Sequence, residues 1–257
     1  MKPFIVANWK MNPVNERAAR VLFGRVRSKI SGVRGVEIAI APPFPYLAFG
    51  RSSRSFRLAG QDVFWENAGA YTGEISPAML KDLGVRYVLL GHSERRRLLG
   101  EVDEMINRKV RATLNARLIP IIAVGEETRE SQEAVPPVLA QQIAAALKDI
   151  PRRMLRGIII AYEPVWAIST MPGAKFDTPD HATRRAIYIR KILTKILGVR
   201  VADTVRIIYG GSVRAKNAGD FLAHDIRGME GLLVGGASLD ADEFAAIVRS
   251  VGVESRR

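Results

Sequence analysis

The chain has 257 residues, 47% of them hydrophobic and 25% charged, with 39 Lys and Arg against 26 Asp and Glu for a formal charge of +13. That balance excludes a disordered chain and fits one large α/β domain able to bury its own core. The absence of cysteine excludes a disulfide framework, a thiolate metal site and a cysteine nucleophile, and it leaves the redox compartment unread.

The first residues, MKPFIVANWKMNP, hold an apolar stretch too short for a secretory signal and broken by Asn8 and Lys10. No apolar run in the chain reaches 18 residues, so the expectation is a soluble cytoplasmic protein with no membrane partner. The positive charge favours anionic ligands. The basic residues are scattered, as in RSSRSFR, ERRR and ATRRAIYIRK, without interleaved aromatics or a nucleic-acid module. A solvated basic surface is therefore the reading adopted over a nucleic-acid partner.

In chain order, short apolar runs read as strands at FIVANW (4–9), VEIAIAP (36–42), FRLAGQ (56–61), RYVLLG (86–91), IPIIAVG (119–125), GIIIAYE (157–163), VRIIYG (205–210) and GLLVGG (231–236). Segments of helical spacing lie between them, among them AVPPVLAQQIAAALKDI (134–150) and HATRRAIYIRKILTKILG (181–198). Continuously apolar strands separated by helices predict a parallel sheet covered by helices. Eight such units in one chain predict a closed (β/α)8 barrel, a single domain over residues 1–257. An open doubly wound sheet is the alternative. It is disfavoured because no G-x-G-x-x-G follows the first strand, and GGSVRAKNAG after the seventh has the wrong spacing.

In a barrel, chemistry sits at the C-terminal ends of the strands. Here those ends carry Asn8 and Lys10, then His92, Ser93 and Glu94, then Glu163, and finally the glycine pairs in YGGS (209–212) and GG (235–236). Each has a plain reading: Glu163 as half of a structural ion pair, His92 as a hydrogen-bonded core residue, Lys10 as a solvated cation, the glycines as tight turns. Taken jointly, a carboxylate, an imidazole and an ammonium on three strand ends converge on one pocket, with glycine loops suited to a phosphate. The histidines at 92, 181 and 224 are far apart in sequence and no clustered carboxylates occur, so no metal site is expected.

The segments ANWKMN, GAYTGEIS, LLGHSERR, IIAVGE, AYEPVWAI, IYGGSV and GLLVGGASL resemble, in order and spacing, the signature segments of the triosephosphate isomerase family across residues 4 to 250. The resemblance implies a TIM barrel that interconverts dihydroxyacetone phosphate and glyceraldehyde 3-phosphate through an enediolate, with no cofactor and no metal, in glycolysis and gluconeogenesis. The acid–base roles of this family are a standard worked case, and they are carried over here rather than derived. By that match Glu163 is the base, His92 a neutral electrophile, Lys10 and Asn8 polarise the substrate oxygens, and Glu94 orients Lys10 and takes part in proton handling. Backbone donors around Ser169, Ser212, Gly235 and Gly236 hold the phosphate. Thr72, in ENAGAYTGE, contacts a neighbouring subunit's active site, so a homodimer is expected.

The resemblance also makes PVWA (164–167) one hinge of a lid over the bound phosphate. The lid is where the chain departs from the family pattern. Its tip, STMPGAKFD, is about three residues longer than the usual glycine-rich form, and Ser169 stands where a glycine is usual. Activity is expected to survive with altered lid kinetics, because a serine still donates its N–H at negative φ. Ala123 takes the place of a frequent cysteine in IIAVGE, where a packing effect alone is expected. Two other readings compete with the isomerase: a phosphate-handling barrel for a larger substrate, and a barrel without catalysis that serves as a basic binding or scaffold protein.

Overall fold

The computed structural model describes residues 2–51, 53–129, 136–168, 170, 173–222 and 228–254. All eight predicted strands form: β1 (Phe4–Asn8), β2 (Glu37–Ala41), β3 (Arg57–Gly60), β4 (Val85–Leu90), β5 (Ile119–Val124), β6 (Ile159–Tyr162), β7 (Arg206–Tyr209) and β8 (Gly231–Val234). Each pairs in parallel with the next, and β8 returns to β1 through Phe4 opposite Gly231 and Ala7 opposite Val234, so the sheet closes. The crossovers carry α1 (Glu16–Lys29), α2 (Pro77–Asp82), α3 (Ser93–Leu99), α4 (Asp103–Asn115), α5 (Pro137–Leu147), α6 (Pro179–Leu197), α7 (Val199–Ala202) and α8 (Ala215–Ala218), and α9 (Ala241–Val251) follows β8.

All eight predicted strands overrun the observed ones at the C-terminal end. The extra residues, among them Gln61, Gly91, Gly125, Glu163, Gly210 and Gly235, lie just past the observed strand ends and form the mouth of the barrel, Glu163 and Gly210 each still donating one backbone bond to the neighbouring strand. Helix α6 starts two residues earlier than predicted. The Thr178 side chain accepts the His181 N–H at 3.2 Å, and Pro179 suits a first turn where no backbone donor is needed.

Strand side chains alternate between two faces, and here both faces are buried. Phe4, Val6, Tyr87, Leu89, Ile121, Ala123, Ile159, Ala161, Ile208 and Leu233 fill the barrel interior. Their neighbours Ile5, Ala7, Val88, Leu90, Ile122, Val124, Ile160, Ile207 and Leu232 pack outward against the helices. The interior row, continued two residues beyond each strand, decides what faces the mouth. After Val6 comes Asn8, after Ala59 comes Gln61, after Ala123 comes Gly125, after Ala161 comes Glu163, after Ile208 comes Gly210, and after Leu233 comes Gly235. Polar groups and glycines thus share one rim above an apolar floor.

The opposite end is plugged. Arg206 lies 2.6 Å from Glu37, whose carboxylate also takes the Tyr87 hydroxyl, and the Phe4 and Tyr87 rings meet with centroids 4.7 Å apart. Burial first, then the bond to Glu37, pushes the Tyr87 phenol up to about 12, so it stays a donor.

A buried charge cluster ties α3 and α4 to the end of β3. The Lys109 ammonium, 3% exposed, sits 2.8 and 2.7 Å from the two Asp62 oxygens and also bonds Glu101. Arg95 completes it at 2.8 Å from Asp62 and 2.7 Å from Glu101. Burial lifts Asp62 to about 6, against the pull of Lys109, while Lys109 and Arg95 hold Glu101 below the usual carboxylate range despite its own burial. Removing one partner from a buried charge group strands the others without compensation. Lys109→Met is therefore expected to destabilise the fold by about 3 kcal/mol, read from denaturant unfolding; an unchanged midpoint contradicts this.

Candidate active site

Glu163 owes its position to both of its neighbours in the chain. Its N–H donates to the Val124 carbonyl at 2.8 Å, so the backbone is still registered on β5, and Pro164 holds the preceding residue extended. The side chain is 2% exposed and continues the interior row. One carboxylate oxygen accepts the Ser93 N–H at 3.0 Å and the other lies 3.3 Å from His92 Nε2. The neighbouring strand leaves room for this carboxylate because residue 210 has no side chain: a Cβ there would stand 2.9 Å from Glu163 Cγ.

His92 caps α3. Its Nδ1 accepts the Glu94 N–H at 3.2 Å, and a ring nitrogen that accepts carries no proton. That assigns the neutral tautomer with the proton on Nε2, facing Glu163 and the cleft. Glu94, on the first turn of α3, reaches back 2.5 Å to Lys10 Nζ, and its second oxygen lies 3.8 Å from His92 Nδ1. Partial burial by itself would raise the Glu94 carboxyl; the hydrogen bond and charge of Lys10 outweigh it and hold the group below its ordinary 4.5.

Lys10 adopts a left-handed backbone with φ 53°, a conformation that costs energy for any residue but glycine and needs support from its surroundings. The support is polar. The Lys10 N–H donates to Asn8 Oδ1 at 3.0 Å, and Gln61 Nε2 donates to the Lys10 and Ala41 carbonyls at 2.8 Å each. The stem of Lys10 then lies against Gly235, where a Cβ would come within 3.3 Å of its Cε.

Five of the predicted residues, Asn8, Lys10, His92, Glu94 and Glu163, therefore form one connected group across the mouth. Ser212, Gly235 and Gly236 line the same cleft as Asn8, Lys10 and His92. The Ser212 N–H and hydroxyl both point at the Ala167 carbonyl, at 3.2 and 2.6 Å, which fastens the N-terminal stem of the lid to the loop after β7. Ser169 lies outside the described residues, as do 171 and 172 of the lid tip. Thr72 is exposed on the loop after β3 and is not part of its own chain's cleft. Among the described residues, no group of three or more His, Asp or Glu stands in metal-holding geometry.

Several participants escaped the sequence reading. Gln61 and Gly125 could have been found by extending the interior row past the strand ends. Arg214, which adds a cation at the glycine-loop end of the cleft, carries no local signal, and Ser93, already placed at a strand end by the sequence, turns out to hold Glu163 through its backbone N–H. Chemically, the arrangement offers a carboxylate base, a neutral N–H donor and a cation around a small cleft that ends in glycine-rich backbone. Those are the parts needed to remove a carbon-bound proton from a phosphorylated carbonyl compound.

The family model described as Triosephosphate isomerase matches residues 3–251. The chain is 42% identical over 255 residues to a triosephosphate isomerase of Carboxydothermus hydrogenoformans, covering 96% of this chain and 98% of that protein. It is 43% identical over 256 residues to the one of Pelobacter propionicus, covering 97% and 99%, and 43% over 249 residues to that of Symbiobacterium thermophilum, covering 95% of each.

Proposed function

Because the chain belongs to the triosephosphate isomerase family, we propose that the connected group Glu163, His92, Glu94 and Lys10 carries the family reaction in this protein. That reaction interconverts dihydroxyacetone phosphate and glyceraldehyde 3-phosphate, an aldose–ketose isomerisation through an enediolate. Glu163 takes the proton from one carbon and returns it to the next. To do so its carboxylate must leave the Ser93 N–H for the cleft, a short swing about the side-chain bonds. The Nε2–H of His92 donates to the substrate oxygens as they gain charge, and Lys10, oriented by Glu94 and by Asn8, meets the same charge from the other side. The fixed donors are in place before the charge develops, so little reorganisation is needed during the reaction.

The substrate phosphate is assigned to the backbone of Ser212, Gly235 and Gly236, with Ser169 of the lid added by the family resemblance. For Ser212 to serve the phosphate its N–H must release the Ala167 carbonyl, so phosphate binding and displacement of the lid stem are one event. The observation that supports these roles most directly is the run of contacts from Glu163 through His92 and Glu94 to Lys10. The purified chain is expected to form glyceraldehyde 3-phosphate and dihydroxyacetone phosphate from one another in an assay coupled to glycerol phosphate formation. Salt-sensitive RNA binding with no isomerisation would instead favour a scaffold role.

The proposed assembly is a homodimer, and the proposed compartment is the cytoplasm. Met11 and Val14 after β1, Tyr71 after β3 and Leu98, Leu99 and Val102 around α3 are exposed apolar side chains, 44–88% accessible. Met11, Val14, Leu98 and Leu99 line a groove that includes Lys10, His92 and Glu94, into which a partner's Thr72 loop would fit. Sedimentation at twice the 28.3 kDa of the chain is expected; a fully active monomer contradicts the assignment. Among the described residues no helix is long and apolar enough to cross a membrane.

A further inference from the structure

The basic run RSSRSFR (51–57) and the outer face of α1 take no part in the site at the mouth, and between them lies an open pocket of about 150 Å³. It sits toward the other end of the barrel: Phe56 immediately precedes β3, and Gly24 and Arg27 belong to the second half of α1. Its floor is aromatic. Phe23 and Phe56, both buried, stack with ring centroids 5.9 Å apart, and Phe23 in turn meets the fully buried Trp9 at 4.5 Å. Phe49 adds a wall, with the Arg20 guanidinium 3.9 Å from its ring centroid and tied to Glu16 at 2.7 Å.

Two features point to an anionic ligand. Gly24 lies in the middle of α1, and a Cβ added there would meet nothing within 4 Å. Neither a left-handed backbone nor a close neighbour calls for glycine at this position, and only proline is a poorer helix former. Its structural consequence is a pocket left unfilled. Arg27, exposed at the rim, has no acidic partner among the described residues, because the carboxylates along this face are engaged elsewhere: Glu16 with Arg20, and Asp242 with Arg25 and Lys29. The Ser53 hydroxyl accepts the Ser55 N–H at 3.2 Å and so keeps its own proton for donation. Stacked rings beneath an uncompensated guanidinium match a flat aromatic group that ends in an anion. An apolar cavity of about 150 Å³ elsewhere takes up one benzene ring, which sets the size.

We propose that this pocket is a binding site for a single-ring aromatic carboxylate, its ring against Phe23, Phe49 and Phe56 and its carboxylate on Arg27 and the Ser53 hydroxyl. The site is separate from the cleft at the mouth and does not depend on the isomerase reading.

The test is a fluorine NMR titration of the full chain with fluorophenylacetate. Saturable binding with a Kd on the order of 1 mM is expected, the affinity that a ligand of about ten non-hydrogen atoms reaches at ordinary efficiency. Arg27→Gln should weaken it about tenfold, the effect of losing one charge-assisted hydrogen bond. Gly24→Leu should abolish saturation, since the new side chain takes the ring's place, while raising the thermal midpoint by about 2–4 °C as a better helix former. A folded, more stable variant that no longer binds thus separates loss of the site from loss of structure. Lys10→Met should bind as the wild type does, which distinguishes this pocket from the cationic cleft at the mouth. The corresponding uncharged alcohol, and cyclohexylacetate as a competitor, should each bind about tenfold more weakly. Absence of saturation in the wild type, undiminished binding in Gly24→Leu or Arg27→Gln, loss of binding in Lys10→Met, or equal binding of either analogue overturns the proposal.

Discussion

Glu163→Gln is expected to lower kcat by about 10²–10⁴-fold with KM little changed, the range associated with losing a positioned general base. The substitution keeps size and shape, so the tight fit against residue 210 is preserved. It replaces an acceptor with a group that has no useful basicity. The amide oxygen can still take the Ser93 N–H, and the amide nitrogen then faces His92 Nε2, which is itself assigned as a donor. Folding should therefore be little affected, and the loss of a desolvated carboxylate offsets the poorer contact with His92. Steady-state kinetics in both reaction directions checks the prediction. A loss confined to KM would mean that Glu163 binds substrate without moving its proton.

Lys10→Met is expected to cost about 10²–10³ in kcat/KM, as removal of one preorganised charge-stabilising donor does elsewhere. Methionine fills the stem's place against Gly235 and leaves the backbone contacts to Asn8 and Gln61 intact, so the measured loss reports the ammonium. Glu94 provides a second readout. Its carboxyl is held below 4.5 by Lys10 against the opposing effect of burial, so without the ammonium its titration should move up. The sign follows from the depressed value. In the wild type the pair stabilises the fold above the ordinary carboxylate range, and that contribution is lost as pH falls through the lowered value. In Lys10→Met the contribution is absent at neutral pH and the acid-side change in activity begins at higher pH. Because Glu94 is partly solvated, the pH shift is the more sensitive measurement than stability.

The barrel was legible because its signals are local. Each strand is a short run buried on both faces, and eight of them in alternation with helices leave few topologies. Residues at the strand ends could be placed on the same rim for a related reason, since period two carries the interior row from Ala161 to Glu163 and from Val6 to Asn8. What stayed hidden depends on contacts between distant parts of the chain. Lys109 reads as an ordinary helical lysine, yet it is buried by an aspartate 47 residues away. Asp177 and His181 read as the polar residues around a helix start, and only the folded chain shows both side chains buried, with Asp177 Oδ1 2.8 Å from His181 Nδ1. Ser212 was expected to face the phosphate, whereas its N–H and hydroxyl here serve the lid stem. Strand ends were overestimated for a physical reason too: the residues just past them continue the same alternation into the mouth, and periodicity cannot distinguish that from continued pairing.

The account depends on negative charge on the substrate oxygens being met by donors already in place around one carboxylate. A crystal structure with a two-carbon phosphorylated carboxylic acid, a stable mimic of the enediolate, examines that directly. The ligand's carboxylate is predicted to lie between the Glu163 carboxyl, His92 Nε2 and Lys10 Nζ, with its phosphate on the backbone of Gly235, Gly236 and Ser212 and Glu163 withdrawn from Ser93. A ligand seated elsewhere, or seated there with those three side chains turned away from it, would contradict the account.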